Sequence, residues 1–258
     1  MSLQAEFARA ARDGDRAALV TVVASEHPGV SVGAKALVRP DETVEGSLGH
    51  PQLDAAALDF ADELLWAERS ELREVAGTKV FVDVTAPSPR LVLFGAVDYA
   101  AHLCSLARAM GWRAYVVDPR GRFARADRFP DAEEVVPAWP REAFAQIGGI
   151  DRATYIAVLT HDPKLDDAAL TFALESDAAY IGAMGSRRAQ AERRRRLVEA
   201  GMPEEALTRI AAPIGLDLGG LTAQETALSI IAEVVAVRNG REGGRLATAG
   251  GRIHEVGA

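Results

Sequence analysis

Three stretches of the chain gather residue types that hold anions or move protons. Thr160-His161-Asp162-Pro163-Lys164 sets an imidazole, a carboxylate and an ammonium group close together. His161 can exchange a proton near neutral pH, Lys164 can meet a phosphate, and Asp162 can orient His161 or cap a helix. Gly182-Ala183-Met184-Gly185-Ser186-Arg187-Arg188 places two glycines, a hydroxyl and two guanidinium groups just ahead of a helix. Free backbone amides at a helix start, joined by forked guanidinium donors, suit a phosphate. The third stretch, Phe94-Gly95-Ala96-Val97-Asp98-Tyr99-Ala100, follows an apolar run. Dinucleotide-binding folds carry G-x-G-x-x-G/A at such a turn, with a ribose-binding acid about 20 residues further on. Gly95 and Ala100 fit the first and third positions, and Asp118 fits the acid. Val97 fills the second position, where glycine lets a phosphate approach, and Asp98 adds negative charge at the helix start.

Each stretch has a structural reading beside the functional one. Asp162 and Pro163 can simply start a helix, the two glycines can loosen a turn, and the Gly95 turn can belong to a fold that binds no dinucleotide. The run Arg193 to Arg196 reads as a solvated helix face. Thr222 and Glu225 read as a capping box, and the Gly-rich segment Ala212 to Gly220 ahead of them can line the same cleft. Lys35 and His50 read as a solvent-facing strand residue and a helix-start residue.

The elements that must position these residues follow from hydrophobic pattern and turn signals. The two prolines in Thr85-Ala86-Pro87-Ser88-Pro89 interrupt regular structure and mark a linker. Ahead of it the pattern predicts a small α+β domain over residues 1–86. Its elements are a helix over 3–12, strands over 17–25, 33–39, 43–48 and 79–84, and one long helix over 51–75. After the linker, strands over 90–94, 113–117, 134–136, 154–159 and 179–183 alternate with helices over 98–110, 140–147, 165–176, 187–200 and 222–239. Apolar strands alternating with helices predict an α/β Rossmann-like domain with a parallel sheet over 87–241. Residues 242–258 are Gly-rich and read as a flexible tail.

Composition narrows the function classes. The chain has 258 residues, with 29 Lys and Arg against 37 Asp and Glu, a net charge of -8. Such acidity argues against general nucleic-acid binding, which needs a basic surface. One cysteine, Cys104, leaves no disulfide framework and no multi-cysteine metal site. Set beside Leu103 and Leu106 in a predicted helix, it reads as a small buried hydrophobe. No apolar run is long enough to cross a membrane, and the N-terminus lacks a signal-peptide core, so a cytoplasmic protein is expected. No catalytic set and no metal-ligand set stands out.

Taken together the segments resemble the xanthine dehydrogenase accessory protein family (XdhC/CoxI). VLTHDPKLDDAAL, AAYIGAMGSRR and APIGLDLGGLTAQETALSIIAEVVAVRNGR carry the resemblance in the C-terminal part, in that order. VGAKALV followed by GSLGHPQLD carries it in the N-terminal part. The resemblance implies a small N-terminal domain and a Rossmann-like C-terminal domain. It implies binding of molybdenum cofactor in its molybdopterin form, support of the cofactor's sulfuration, and delivery to a molybdenum hydroxylase such as xanthine or carbon monoxide dehydrogenase. A cysteine desulfurase is an implied partner, and a homodimer is a prior for such folds. On this reading Gly182, Gly185, Ser186, Arg187 and Arg188 meet the phosphate. His161, Asp162 and Lys164 face the pterin or the metal end, and Gly95 and Asp118 complete the set. The chain departs from the family pattern at two places. Its first Rossmann turn reads FGAVDYA where FGAGHVA is common, and His50, Pro51 and Asp54 stand in a block that is otherwise glycine-rich and ends in Glu. Some members carry Cys where this chain has Gln52, so thiol chemistry is not available there.

Two other classes stay open at this point. An NAD(P)-dependent oxidoreductase has the fold and Asp118 in its favour and Val97 and Asp98 against it. A scaffold that binds no cofactor would dock the partner enzyme through its acidic surface.

Overall fold

The computed structural model describes residues 2–250, which divide into two compact units, residues 2–87 with 246–250, and Ser88–Arg245. Residues 251–258 of the expected tail lie outside the described residues.

The first unit is a five-stranded antiparallel sheet in the order β3-β2-β1-β5-β4 with two helices. The elements are α1 (Leu3–Asp13), β1 (Ala17–Ser25), β2 (Lys35–Val38), β3 (Val44–Ser47), α2 (Pro51–Ala67), β4 (Glu71–Val75) and β5 (Thr78–Thr85). α2 buries Leu53, Ala57, Ala61, Leu64 and Leu65 against Val20, Val22, Val80 and Val82. α1 packs Ala10 with Leu19 and Leu37 on the other face.

The long helix expected over 51–75 is a helix followed by a strand. Glu68 turns left-handed at φ 52° and ends α2. The Arg16 guanidinium fixes that end, donating to the Leu65 carbonyl at 2.5 Å and to Glu68 at 3.0 Å. Ala76 and Gly77 then both take positive φ, 48° and 70°, the conformation of a tight hairpin turn. That turn folds Glu71–Val75 back along β5, so pairing outweighs the helix propensity of Glu, Leu and Arg.

The second unit carries a six-stranded parallel sheet in the order β11-β10-β9-β6-β7-β8. Its elements are β6 (Arg90–Phe94), α3 (Asp98–Ala109), β7 (Arg113–Val117), β8 (Glu134–Val136), α4 (Pro140–Gln146), β9 (Thr154–Val158), α5 (Pro163–Leu174), β10 (Tyr180–Ala183), α6 (Arg187–Glu199), β11 (Ile210–Ala211) and α7 (Ala223–Arg238). The two-residue β11 carries too little pattern to read in sequence. The central strands are buried on both faces, which is why they read as unbroken apolar runs. One face packs Leu91, Leu93, Val116 and Tyr155 with Leu103 of α3 and Ile230, Ile231 and Val234 of α7. The other packs Phe94, Val117, Ile156 and Val158 with Phe144, Leu170 and Leu197.

Candidate functional site

Strand order fixes where a ligand can sit. From β6 the chain moves outward to β7 and β8, then returns to build β9, β10 and β11 on the opposite side. The reversal leaves a crevice beyond the carboxyl ends of β6 and β9, the usual ligand position in an open α/β sheet. The Gly95 turn leaves β6 there, and the Thr160–Lys164 loop leaves β9.

The two loops touch. Gly95 has φ 114°, and a Cβ on it would fall 2.5 Å from Thr160 Cγ2. The glycine thus permits a close approach between the β6 and β9 loops as well as an unusual backbone angle. The turn after β6 then enters α3 with Val97 as its N-terminal boundary and no side-chain cap. Asp98 at the first position is exposed and has the Arg128 guanidinium at 3.4 Å. Arg128 also donates to the Ala96 and Phe123 carbonyls, each at 3.0 Å, so the negative charge expected to oppose an anion has a cation beside it.

Asp118, at the end of β7, is fully buried and engaged within the chain. Its carboxylate accepts from the Ala96 amide at 3.0 Å and from the Arg120 amide, Nε and Nη2 at 3.0, 2.8 and 2.7 Å. Burial pushes this carboxyl up, but the Arg120 and backbone donors outweigh it and hold it below the usual carboxylate range. A ribose would have to displace Arg120 to reach it. Arg120 in turn lies within the field of Asp162 and stacks on Phe123, with Arg122 also over that ring.

In the β9 loop, Asp162 caps α5 by accepting from the Lys164 amide at 3.0 Å, and Pro163 takes a first-turn position. His161 and Lys164 are exposed, and neither has a side-chain partner among the described residues. In the β10 loop, Gly185 has φ 134° and Ser186 caps α6, accepting from the Ala189 amide at 3.2 Å. Arg187 and Arg188 are exposed. Arg188 reaches Glu192 at 3.2 Å, whereas Arg187 meets no carboxylate among the described residues. Gly182 lies inside β10 rather than in the loop, with its open flank filled by Ile214 and the Tyr180 hydroxyl. Its place calls for close packing. The structure thus sets Lys164 in the first turn of α5 and Arg187 and Arg188 in the first turn of α6, at the carboxyl edge of the sheet, and among the described residues Lys164 and Arg187 have no acid partner.

Within the arginine run Arg194 and Arg195 are exposed as expected, whereas Arg193 and Arg196 depart from a solvated face. Arg193 is buried and its Nη2 meets Asp166 of α5 at 2.7 Å and the Met184 carbonyl at 3.0 Å. Arg196 forks onto Asp167 at 2.7 and 2.9 Å. The signal lay in helix spacing. α6 has few apolar residues, and its buried Leu197 fixes a face on which Arg193 stands one turn earlier.

Elsewhere the expected local structures hold. Thr222 and Glu225 form a reciprocal capping box, and Cys104 is buried. In the first unit His50 caps α2, its Nδ1 accepting from the Gln52 amide at 3.3 Å, and its ring lies 4.7 Å from that of His27. Asp54 accepts from the Ser47 hydroxyl at 2.8 Å and the Leu48 amide at 2.6 Å, shaping the loop before α2. Lys35 turns to the Gly33 carbonyl at 3.0 Å. Among the described residues no cluster of three His, Cys, Asp or Glu could hold a metal ion, and no helix is long and apolar enough to cross a membrane.

Comparison with known proteins gives concordant results for both units. The family model of the XdhC Rossmann domain matches residues 91–234, and that of the XdhC and CoxI family matches residues 10–76. An uncharacterised protein of Escherichia coli K12, YqeB, is 26% identical over 95% of this chain and 48% of its own length. A Bacillus subtilis 168 protein, described as a probable subunit of xanthine dehydrogenase, is 29% identical over 62% of this chain and 46% of its own length. The E. coli K12 molybdenum cofactor insertion chaperone PaoD is 32% identical over 59% of this chain and 41% of its own length. The chain thus spans less than half the length of the curated relatives it matches. A crystal structure described as a xanthine dehydrogenase from Bacillus halodurans superposes with a TM-score of 0.63 at 24% identity, covering 92% of this chain and 66% of that one, a likeness of fold.

Proposed function

The chain belongs to the XdhC and CoxI family, and from that premise we propose that it holds molybdenum cofactor in its molybdopterin form for delivery to a molybdenum hydroxylase. The recipient on this reading is an enzyme of the xanthine or carbon monoxide dehydrogenase type. Support for sulfuration, with sulfur from a cysteine desulfurase, belongs to the same role, which the chain performs in the cytoplasm without turnover of its own. The names of the relatives PaoD and the B. subtilis protein support the reading.

The observation that carries it is the trio Lys164, Arg187 and Arg188 beside the α5 and α6 starts, next to a crevice whose usual ribose acid is closed by Arg120. A phosphate fits these donors: two guanidinium forks and an ammonium group, at the positive end of a helix dipole. The Ser186 cap keeps the start of α6 ordered, and Gly185 lets the loop bend toward it. His161, exposed and without a side-chain partner among the described residues, would donate to or accept from the pterin or the oxygen ligands of the metal. The cofactor itself carries the redox chemistry that the recipient enzyme uses.

Anaerobic calorimetry of the purified chain with molybdopterin-form cofactor, and separately with NAD(P)H, tests this. Micromolar or tighter binding of the cofactor with none of the nucleotide is expected. The reverse would identify a dehydrogenase, and binding of neither would leave a scaffold.

A further inference from the structure

One buried polar network touches all three loops at the carboxyl edge of the sheet. Its centre is the Asp166–Arg193 ion pair, with side chains 3% and 6% exposed. On one side Asp166 accepts from the Thr160 hydroxyl, which also accepts from the Asp162 amide at 3.2 Å. Thr160 is the residue against which Gly95 packs. On the other side Arg193 donates to the Met184 carbonyl at 3.0 Å and to the Gln190 side-chain oxygen. The Gln190 amide nitrogen then donates to the Ala183 and Gly185 carbonyls at 3.1 and 3.2 Å. The chain of contacts runs from the β6 turn, through the β9 loop, to the β10 loop.

Stability alone is a poor reason for such a pair. Burying two charges costs as much as their attraction returns, and apolar residues of the same volume often do as well. Burial does push the Asp166 carboxyl up despite the donors around it. A forked guanidinium held on three sides fixes direction and spacing in a way that apolar packing does not.

We propose that Asp166 and Arg193 are positioning residues for the ligand: they hold the β9 loop and α5 start, which bear His161 and Lys164, at a fixed distance from the β10 loop and α6 start, which bear Ser186, Arg187 and Arg188. This rests on the cofactor-binding reading of those loops. Neither residue touches the ligand. Each acts through an intermediary, Asp166 through Thr160 and Arg193 through Gln190 and the Met184 carbonyl.

Two variants of the full chain test it. Asp166→Leu/Arg193→Met replaces the pair with apolar volume. Thr160→Val leaves the pair but cuts its tie to the β9 loop. Each is compared with the wild type by thermal midpoint, by hydrogen exchange at the His161, Asp162, Lys164 and Gly185–Ala189 amides, and by affinity for molybdopterin-form cofactor. For the double variant the expectation is a midpoint within a few degrees of wild type, exchange at least tenfold faster in both loops, and cofactor affinity at least tenfold lower. Thr160→Val is expected to speed exchange in the β9 loop only and to weaken binding less. Wild-type exchange in the folded variants would overturn the proposal, as would faster exchange with unchanged affinity. A wild type that binds no cofactor would instead remove the functional reading, while the exchange rates still decide whether the pair positions the loops. Should the double variant fail to fold, Thr160→Val alone decides by the same criteria.

Discussion

Ile214 occupies the space that a side chain on Gly182 would need: a Cβ there would lie 2.6 Å from Ile214 Cγ1. The Ile214 amide also donates to the Ala183 carbonyl at 3.1 Å. Gly215 follows, its amide donating to Glu233 at 2.8 Å, and the same carboxylate accepts from the buried Tyr180 hydroxyl. The Gly-rich segment after β11 is thus keyed to β10 through Gly182 and to α7 through the Gly215 amide.

Gly182→Ala is therefore expected to destabilise the chain by about 1–3 kcal/mol, the usual cost of overpacking a filled core. Denaturant unfolding measures this. An unchanged midpoint would mean that Ile214 moves aside freely and that the segment is not keyed.

The exposed arginines should behave oppositely. Arg187→Ala/Arg188→Ala removes no buried contact, and the Arg188–Glu192 pair lies on the surface, so stability should stay within about 0.5 kcal/mol of wild type. Affinity for the phosphate-bearing cofactor should fall at least tenfold, a loss of about 1.4 kcal/mol. Titration of the double variant at low and moderate salt checks it. Equal affinity would take both residues out of the site.

What the sequence discloses follows the physics of each element. The parallel sheet was legible because strands buried on both faces read as apolar runs between helices, and β6, β7 and β8 have the bounds expected of them. Asp162, Thr222 and Glu225 were legible because capping is local. β4 was not, since Glu71–Val75 becomes a strand only by pairing with β5 across the hairpin. The engagement of Asp118 by Arg120 was hidden for another reason: an acid at the right spacing looks the same whether its oxygens face a ligand or a guanidinium. The Asp166–Arg193 pair joins residues on two helices, and charged residues in a helix pattern read as solvent-facing unless the few apolar neighbours are used to set the face.

Asp118 makes a pH prediction with a definite sign. Its folded-state carboxyl lies below the usual range, so its contribution to stability is fully present above the unfolded value, about 3.9. It is lost as pH falls through the lower folded value. Asp118→Asn should cost about 1–3 kcal/mol at neutral pH, because the Ala96 amide and Arg120 lose a charged acceptor in a buried place. The penalty should shrink as pH falls below about 4. A constant difference between variant and wild type across that range would show that the carboxylate charge contributes nothing.

Cys104 offers a probe of the second unit's integrity. It sits within α3, 1% exposed, among Leu103, Ala107 and Ala100. Burial, with the Asp131 carboxylate adding to it, pushes the thiol up to about 12. At pH 8 the reactive thiolate is then present in only on the order of one molecule in ten thousand, and it is shielded as well. A thiol reagent should leave the native chain unmodified and label it at the rate of unfolding when denaturant is added. As the sole cysteine, it reports on α3 without interference. Rapid labelling in native buffer would mean that α3 opens locally, away from α7 and the sheet. Cys104→Ala should cost about 1 kcal/mol, since it trims one small side chain from a packed core.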